Sequence, residues 1–294
     1  MIRLILGLTL AGLLNTSVAD AATLIYGSVF GGPDGPSTLW AFAPDGTPGN
    51  TTRRIGPIGF RRVGALDFSP SGTLYGVGST GPDTVLITID TATGAGTLVG
   101  SLGAGDLFVQ DIAFRPADGR LFAFAEGQIF TIDTTTGTAT IVGDAGIGFP
   151  FGNSLAFQGA TLFYANEQAL FTIDQVTGAA TFVRDIVYHP AFGTFPRPPA
   201  MKFDPVTGTL WASINGVGLN TNRLLTLGTI NPTTGQTTPV LELPSVTDGI
   251  AVTTGALPPA AAIPTLSEWA QIVLVAVLVL AGLVTLRRRR PALR

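Results

Sequence analysis

The sequence predicts an all-β protein, a β-propeller of five four-stranded blades closed by its own two ends. Three observations lead there. A strand-and-turn unit, Leu86-Ile87-Thr88-Ile89-Asp90-Thr91-Ala92-Thr93-Gly94, returns at 129–137, 170–178 and 227–235, so that an Asp or Asn stands at 90, 133, 174 and 231. These spacings of 43, 41 and 57 residues fit blades, whose period is ~40–50 residues. Residues alternate in Leu86-x-Thr88-x-Asp90 and Phe130-x-Ile132, the period-2 pattern of a half-buried strand. Finally, the first copy lacks an innermost strand, and a strand of that kind stands alone at the far end.

At the N-terminus, Met1-Ile2-Arg3 is a short positive segment and residues 4–14 are apolar. Ser17-Val18-Ala19 or Ala19-Asp20-Ala21 then offers a small-x-small cleavage site. Residues 1–21 are therefore expected to be a signal peptide, cut by signal peptidase. Its apolar run is too short for a stable span.

The ring occupies 22–255. Its incomplete first copy, 24–59, ends at Leu39-Trp40-Ala41-Phe42-Ala43-Pro44-Asp45-Gly46, and Asp45 lies 45 residues before Asp90. Innermost strands are expected at Ala65-Leu66-Asp67-Phe68, Asp111-Ile112-Ala113-Phe114, Ser154-Leu155-Ala156-Phe157 and Ala200-Met201-Lys202-Phe203. Turns such as Ser69-Pro70-Ser71-Gly72 lead into the second strands. Each Asp-x-x-Thr-Gly supplies a side-chain acceptor and then a Gly that tolerates positive φ, closing a hairpin. That turn role outweighs calcium binding, because no Asp-x-Asp-x-Asp-Gly loop exists in the chain. Thr-rich, β-branched segments at 97–99, 140–142 and 181–183 read as outer strands. The 57-residue interval holds an insertion at 215–223, read as a long loop. Asp248-Gly249-Ile250-Ala251-Val252-Thr253 supplies the strand missing from the first copy and leaves no open edge at the ring junction. A sixth blade would require a degenerate unit in 184–199.

After an Ala/Pro linker at 256–262, expected to be a semi-stiff spacer, comes Ile263-Pro264-Thr265-Leu266-Ser267-Glu268-Trp269-Ala270. Residues 269–286 are apolar apart from Gln271 and Thr285, 18 in all, and Arg287, Arg288, Arg289 and Arg290 follow. At ~1.5 Å per residue a helix of that length just crosses ~30 Å of hydrocarbon. Trp269 stands where an interfacial anchor belongs, and the arginines fix the C-terminus on the cytoplasmic side.

This tripartite tail, 263–294, resembles the IPTL-CTERM sorting signal of Gram-negative bacteria. The resemblance implies recognition at Ile263, Pro264, Thr265, Leu266 and Trp269 by an exosortase-type membrane transpeptidase, cleavage near the motif, and onward passage to the cell surface. Ala270 replaces the family's usual Gly. The blade unit also resembles the bacterial extracellular propellers that carry Leu-Tyr and Ile-Asp-x-x-Thr-Gly signatures, which implies fold and little about activity.

Of the chain's 16 Lys+Arg, six lie outside 22–255, leaving 10; of its 19 Asp+Glu, Asp20 and Glu268 lie outside, leaving 17. The ring thus carries net −7, which argues against nucleic acid or anionic lipid as a partner. With no cysteine, disulfides, metal–thiolate sites and a Cys nucleophile are excluded.

Catalytic chemistry is thin. The single histidine, His189, lies in a proline-flanked loop, and no Gly-x-Ser-x-Gly, His-Glu-x-x-His or phosphate-binding glycine loop is present. The expected ligand site is the ring of positions where innermost strands begin: Asp111, Asp248, and Asn153 with Ser154, the equivalents Gly64 with Ala65 and Pro199 with Ala200 being apolar or small. No cofactor and no metal is expected. A hydrolase or lyase would need Asp111, Asp248 and a third carboxylate such as Asp67 or Asp106. Two surface features remain: Arg53, Arg54, Arg61 and Arg62, and the aromatic, proline-rich loop Phe192-Gly193-Thr194-Phe195-Pro196-Arg197-Pro198-Pro199. The sequence favours a non-enzymatic surface module that binds a glycan, matrix component or protein. The alternatives are a secreted polysaccharide-active enzyme and a permanently anchored periplasmic scaffold.

Overall fold

A computed structural model of the chain describes residues 22–32, 35–44, 52–103, 105–148, 152–218 and 223–255. The expected signal peptide, linker, sorting tail and membrane-crossing helix lie outside them. Among the described residues no helix is long and apolar enough to cross a membrane.

Among the described residues twenty strands form five four-stranded antiparallel sheets. Blade 1 is β4 (Arg61–Phe68), β5 (Leu74–Ser79), β6 (Thr84–Ile89) and β7 (Gly96–Ser101). Blade 2 is β8 (Val109–Phe114), β9 (Leu121–Ala125), β10 (Gln128–Ile132) and β11 (Ala139–Asp144). Blade 3 is β12 (Ser154–Gln158), β13 (Thr161–Ala165), β14 (Ala169–Ile173) and β15 (Ala180–Asp185). Blade 4 is β16 (Thr194–Phe203), β17 (Leu210–Val217), β18 (Arg223–Ile230) and β19 (Thr237–Glu242). In blade 5, β20 (Thr247–Thr254) lies inside β1 (Thr23–Val29), β2 (Thr38–Phe42) and β3 (Thr52–Pro57). The last strand thus completes the first sheet: Ile250 pairs with Gly27 and Ala251 with Tyr26. Among the described residues there is no sixth blade. Residues 186–193 carry an isolated bridge at Val187 and one 3₁₀ turn, Pro190–Phe192. The insertion lengthens a hairpin more than it makes a loop, because β17 and β18 run through positions 215–217 and 223.

The innermost strands β4, β8, β12, β16 and β20 touch one another in that cyclic order. Four of the five junctions use one aromatic device. An aromatic on the second strand of one blade meets the Phe closing the next inner strand: Tyr26–Phe68, Tyr75–Phe114, Phe122–Phe157 and Phe163–Phe203, with ring centroids 5.8, 5.2, 5.6 and 5.5 Å apart. At the fifth, Trp211 and Val252 share one apolar cluster. Such contacts contribute ~0.5–1.5 kcal/mol beyond area burial.

The Asp-x-x-Thr-Gly segments are turns. Asp90 Oδ1 accepts from Ala92 N and Thr93 N at 2.7 and 3.0 Å, and Asp133, Asp174 and Asn231 repeat the pattern. These backbone donors hold the Asp90, Asp133 and Asp174 carboxyls below the usual range. The turns also weld blades together. A Cβ added at Gly100 would lie 1.9 Å from Thr136 O, and one at Gly143 1.9 Å from Thr177 O. Only glycine lets the turn of the next blade dock there.

Candidate functional site

Four of the five inner strands are irregular at the ends where they begin, β12 alone pairing regularly, and the irregularity builds the site. On β4 the pairing with β5 jumps from Arg61 to Ala65; on β8 the pairing with β9 jumps from Val109 to Asp111. Pairing of β16 with β17 skips 195–196 and 198–199, and that of β20 with β1 skips Asp248. Such bulges release residues from the ladder and re-aim their side chains. Of the residues skipped, Arg62, Val63, Gly64, Gln110, Pro199 and Asp248 all line one cavity of about 510 Å³. Asn153, Arg197, Asn215, Asp106 and Phe108 join them, so every inner strand or its approach contributes to this mouth. Gly78 makes the β4 bulge possible, since a Cβ there would sit 2.8 Å from Val63 Cγ2.

The mouth mixes charge with apolar surface. Arg62, held at φ 52, pairs with Asp106 at 3.3 Å and lies 5.8 Å from the Phe108 ring centroid. A non-glycine residue in this region stores strain, which concentrates at functional sites. Asn153, 4% exposed, accepts a hydrogen bond from the Tyr164 hydroxyl. Asn153, Arg197 and Asp248 are each engaged by other groups of the chain.

Of the expected ligand residues, the structure brings Asp248 and Asn153 into the cavity and leaves Ser154 and Asp111 off its wall. Ser154 is fully buried, its hydroxyl 3.5 Å from Ala165 O. At Asp111 the bulge decides the outcome: skipping Gln110 sends that residue to the mouth and turns Asp111 inward. There Asp111 meets Lys202, with Nζ 2.9 and 2.8 Å from its two oxygens. Lys202 Nζ also donates to Leu155 O and Met201 O, while Asp111 accepts from Ile112 N and Leu155 N. Asp67 accepts from Phe68 N and Phe114 N. Burial pushes Asp111 up to about 7 and Asp67 up to about 6, and Lys202 pulls both back. These two carboxyls serve as ties between inner strands.

Other features fall elsewhere. His189 caps the 3₁₀ turn, its Nδ1 accepting from Ala191 N. Arg53 and Arg54 lie on the outermost strand of blade 5, whereas Arg61 and Arg62 begin the innermost strand of blade 1, so the fold divides this quartet. Phe192 is fully buried, while Phe195 is 86% exposed. Of the aromatic, proline-rich loop, Arg197 and Pro199 reach the mouth; sequence reasoning missed Gln110 and Asn215 there, and no signal marks them. It also missed Lys202, although one was available: Lys202 is the only lysine in the chain and sits where β4, β8 and β12 carry Asp67, Ala113 and Ala156.

Comparison with known proteins agrees with both parts of the chain. The IPTL-CTERM motif matches residues 261–290. No curated protein sequence matches the chain. Among solved structures, a chain of a nidogen/laminin complex aligns with a TM-score of 0.51 at 11% identity, over 80% of this chain and 99% of that one. TolB from Acinetobacter baumannii aligns at 0.45 and 12% identity, over 75% and 53% of the two chains. A protein described as a gluconolactonase aligns at 0.45 and 16% identity, over 79% and 84%. At these identities the likeness shows the fold alone.

Proposed function

We propose that this chain is an exported protein whose IPTL-CTERM tail directs it to the cell surface, where the five-bladed ring acts as a non-enzymatic binding module. One observation carries the binding role. Six of the residues released by the inner-strand bulges converge on one mouth that combines charged, amide and aromatic groups. The motif implies processing by an exosortase-type enzyme, and signal peptidase would act at the other end. Intact mass of protein recovered from cells tests the route. Loss of the chain beyond the 263–269 region in wild type, and its retention in Trp269→Ala, is expected. A mass running through to Arg294 in both would instead mean a fixed inner-membrane anchor.

A polysaccharide-active enzyme is the second reading, favoured by the presence of Asp106 and Asp248 on one cavity. Against it, Asp111 is tied to Lys202 away from the cavity wall and Asp106 pairs with Arg62, which weighs against a free acid/base pair of the kind glycoside cleavage uses. Polysaccharide hydrolysis by the purified ring that disappears in Asp248→Asn would replace the binding reading.

A further inference from the structure

The lining of the mouth narrows the class of ligand. Its charges balance, Arg62 and Arg197 against Asp106 and Asp248, and the first of each pair already neutralise one another at 3.3 Å. A polyanion is attracted by an excess of positive potential and a polycation by the reverse; this lining offers neither. Beneath the charges lies an apolar floor, with Val63, Val77 and Val109 all buried. At the rim, Phe108 remains half exposed. On the wall, the buried Oδ1 of Asn215 has no protein partner among the described residues. A buried acceptor left without a donor costs ~1–3 kcal/mol, so this atom offers an acceptor for an N–H or O–H brought into the cavity.

These features converge on a ligand that is uncharged, carries hydrogen-bond donors and acceptors around its edge, and presents an apolar face. Resting on the mouth being a binding seat, we propose that it takes a neutral sugar residue of a surface or matrix glycan. The C–H face of the sugar lies on Phe108, and its hydroxyls donate to Asn215 Oδ1 and Asp248 and accept from Arg197. The cavity, about 510 Å³, lies within the ~300–1,000 Å³ of small-ligand sites.

Gly64 provides the test. It stands on the wall, and a Cβ added there meets nothing nearer than Arg62 O at 3.9 Å, so a side chain at 64 starts without a clash and Gly64→Val narrows the cavity. The exported ring and this variant are applied to immobilised neutral hexose and N-acetylhexosamine oligosaccharides, uronate oligosaccharides and a set of unglycosylated peptides. Unfolding temperatures are measured in parallel. Retention of neutral sugars by wild type is expected, falling at least tenfold in Gly64→Val and in Phe108→Ala with the unfolding temperature unchanged. Uronates or peptides bound in preference, and lost in Gly64→Val, overturn the sugar assignment and keep the seat. Neutral-sugar binding that Gly64→Val leaves intact places the sugar elsewhere and overturns the proposal. If no probe of any class responds to Gly64→Val, both the sugar and the seat fall.

Discussion

Lys202 shows how far one residue can organise this ring. It is 3% exposed, and its ammonium ties β16 to Asp111 on β8 and to Leu155 on β12. A buried pair broken on one side leaves an uncompensated charge. Lys202→Met is therefore expected to cost about 3–5 kcal/mol in urea unfolding, with part recovered when Asp111→Asn is added. The same cluster sets a pH dependence. Asp111 and Asp67 titrate at about 7 and about 6 in the folded chain, above the ~4 of an unfolded aspartate. The folded state thus binds more protons than the unfolded one across that window, and the contribution of these groups to stability grows as pH falls from 7 towards 4. The turn aspartates, held low, act oppositely: their stabilisation is present above the unfolded value and is lost in acid. The unfolding temperature should therefore peak at mildly acidic pH and decline towards pH 8. Asp67→Asn should flatten that decline.

At the level of the element, each hairpin turn serves two ends. In three of them the Asp caps its own backbone and the Thr carbonyl abuts a glycine of the preceding blade, Thr93 at Gly56, Thr136 at Gly100 and Thr177 at Gly143; in the fourth, capped by Asn231, Gly235 sits against Asp185 O of the preceding blade. Backbone bonds follow the same seams: Gly96 N donates to Ile58 O, Ala139 N to Leu102 O, Ala180 N to Ala145 O and Thr237 N to Val187 O, at 2.9–3.1 Å. Gly143→Ala would drive a methyl group into Thr177 O and is expected to cost about 1–3 kcal/mol. The exposed Asp133→Ala should cost less, since water replaces the lost acceptor; thermal unfolding of the two variants gives the comparison. The bulges are elements of the same kind. Those on β4, β8, β16 and β20 spend ladder hydrogen bonds and turn residues towards the mouth, whereas the register shifts between the outer strands of the blades contribute nothing to it.

For the whole molecule, closure is the decisive event. Blade 5 is assembled from the two ends of the ring, with β20 pairing β1 from Thr23–Thr254 to Val29–Thr247. Truncation before Thr247 would remove the inner strand of that blade and expose the edge of β1. The truncated chain is expected to lose the single cooperative urea transition followed by circular dichroism, whereas truncation after Gly255 should leave that transition in place.

The sequence by itself determined the blades. The repeated Asp-x-x-Thr-Gly turn, the period-2 strands and the complementary end segments are local patterns, and turn chemistry and burial translate them directly into hairpins and a closed ring. It also determined the sorting tail, a linear signal readable without a fold. The site was legible only in part. Asp248 and Asn153 were placed at the mouth by repeat position, but the same logic chose Asp111 over Gln110. One skipped residue on β8 reverses the faces of a strand, and bulges depend on what packs beside them, as Gly78 does beside Val63. The partnership of Lys202 with Asp111, 91 positions apart, likewise required the ring to bring distant inner strands together. Tertiary structure decided which carboxylates bind strands and which face the mouth, because burial and register act between strands and no single stretch of sequence records them.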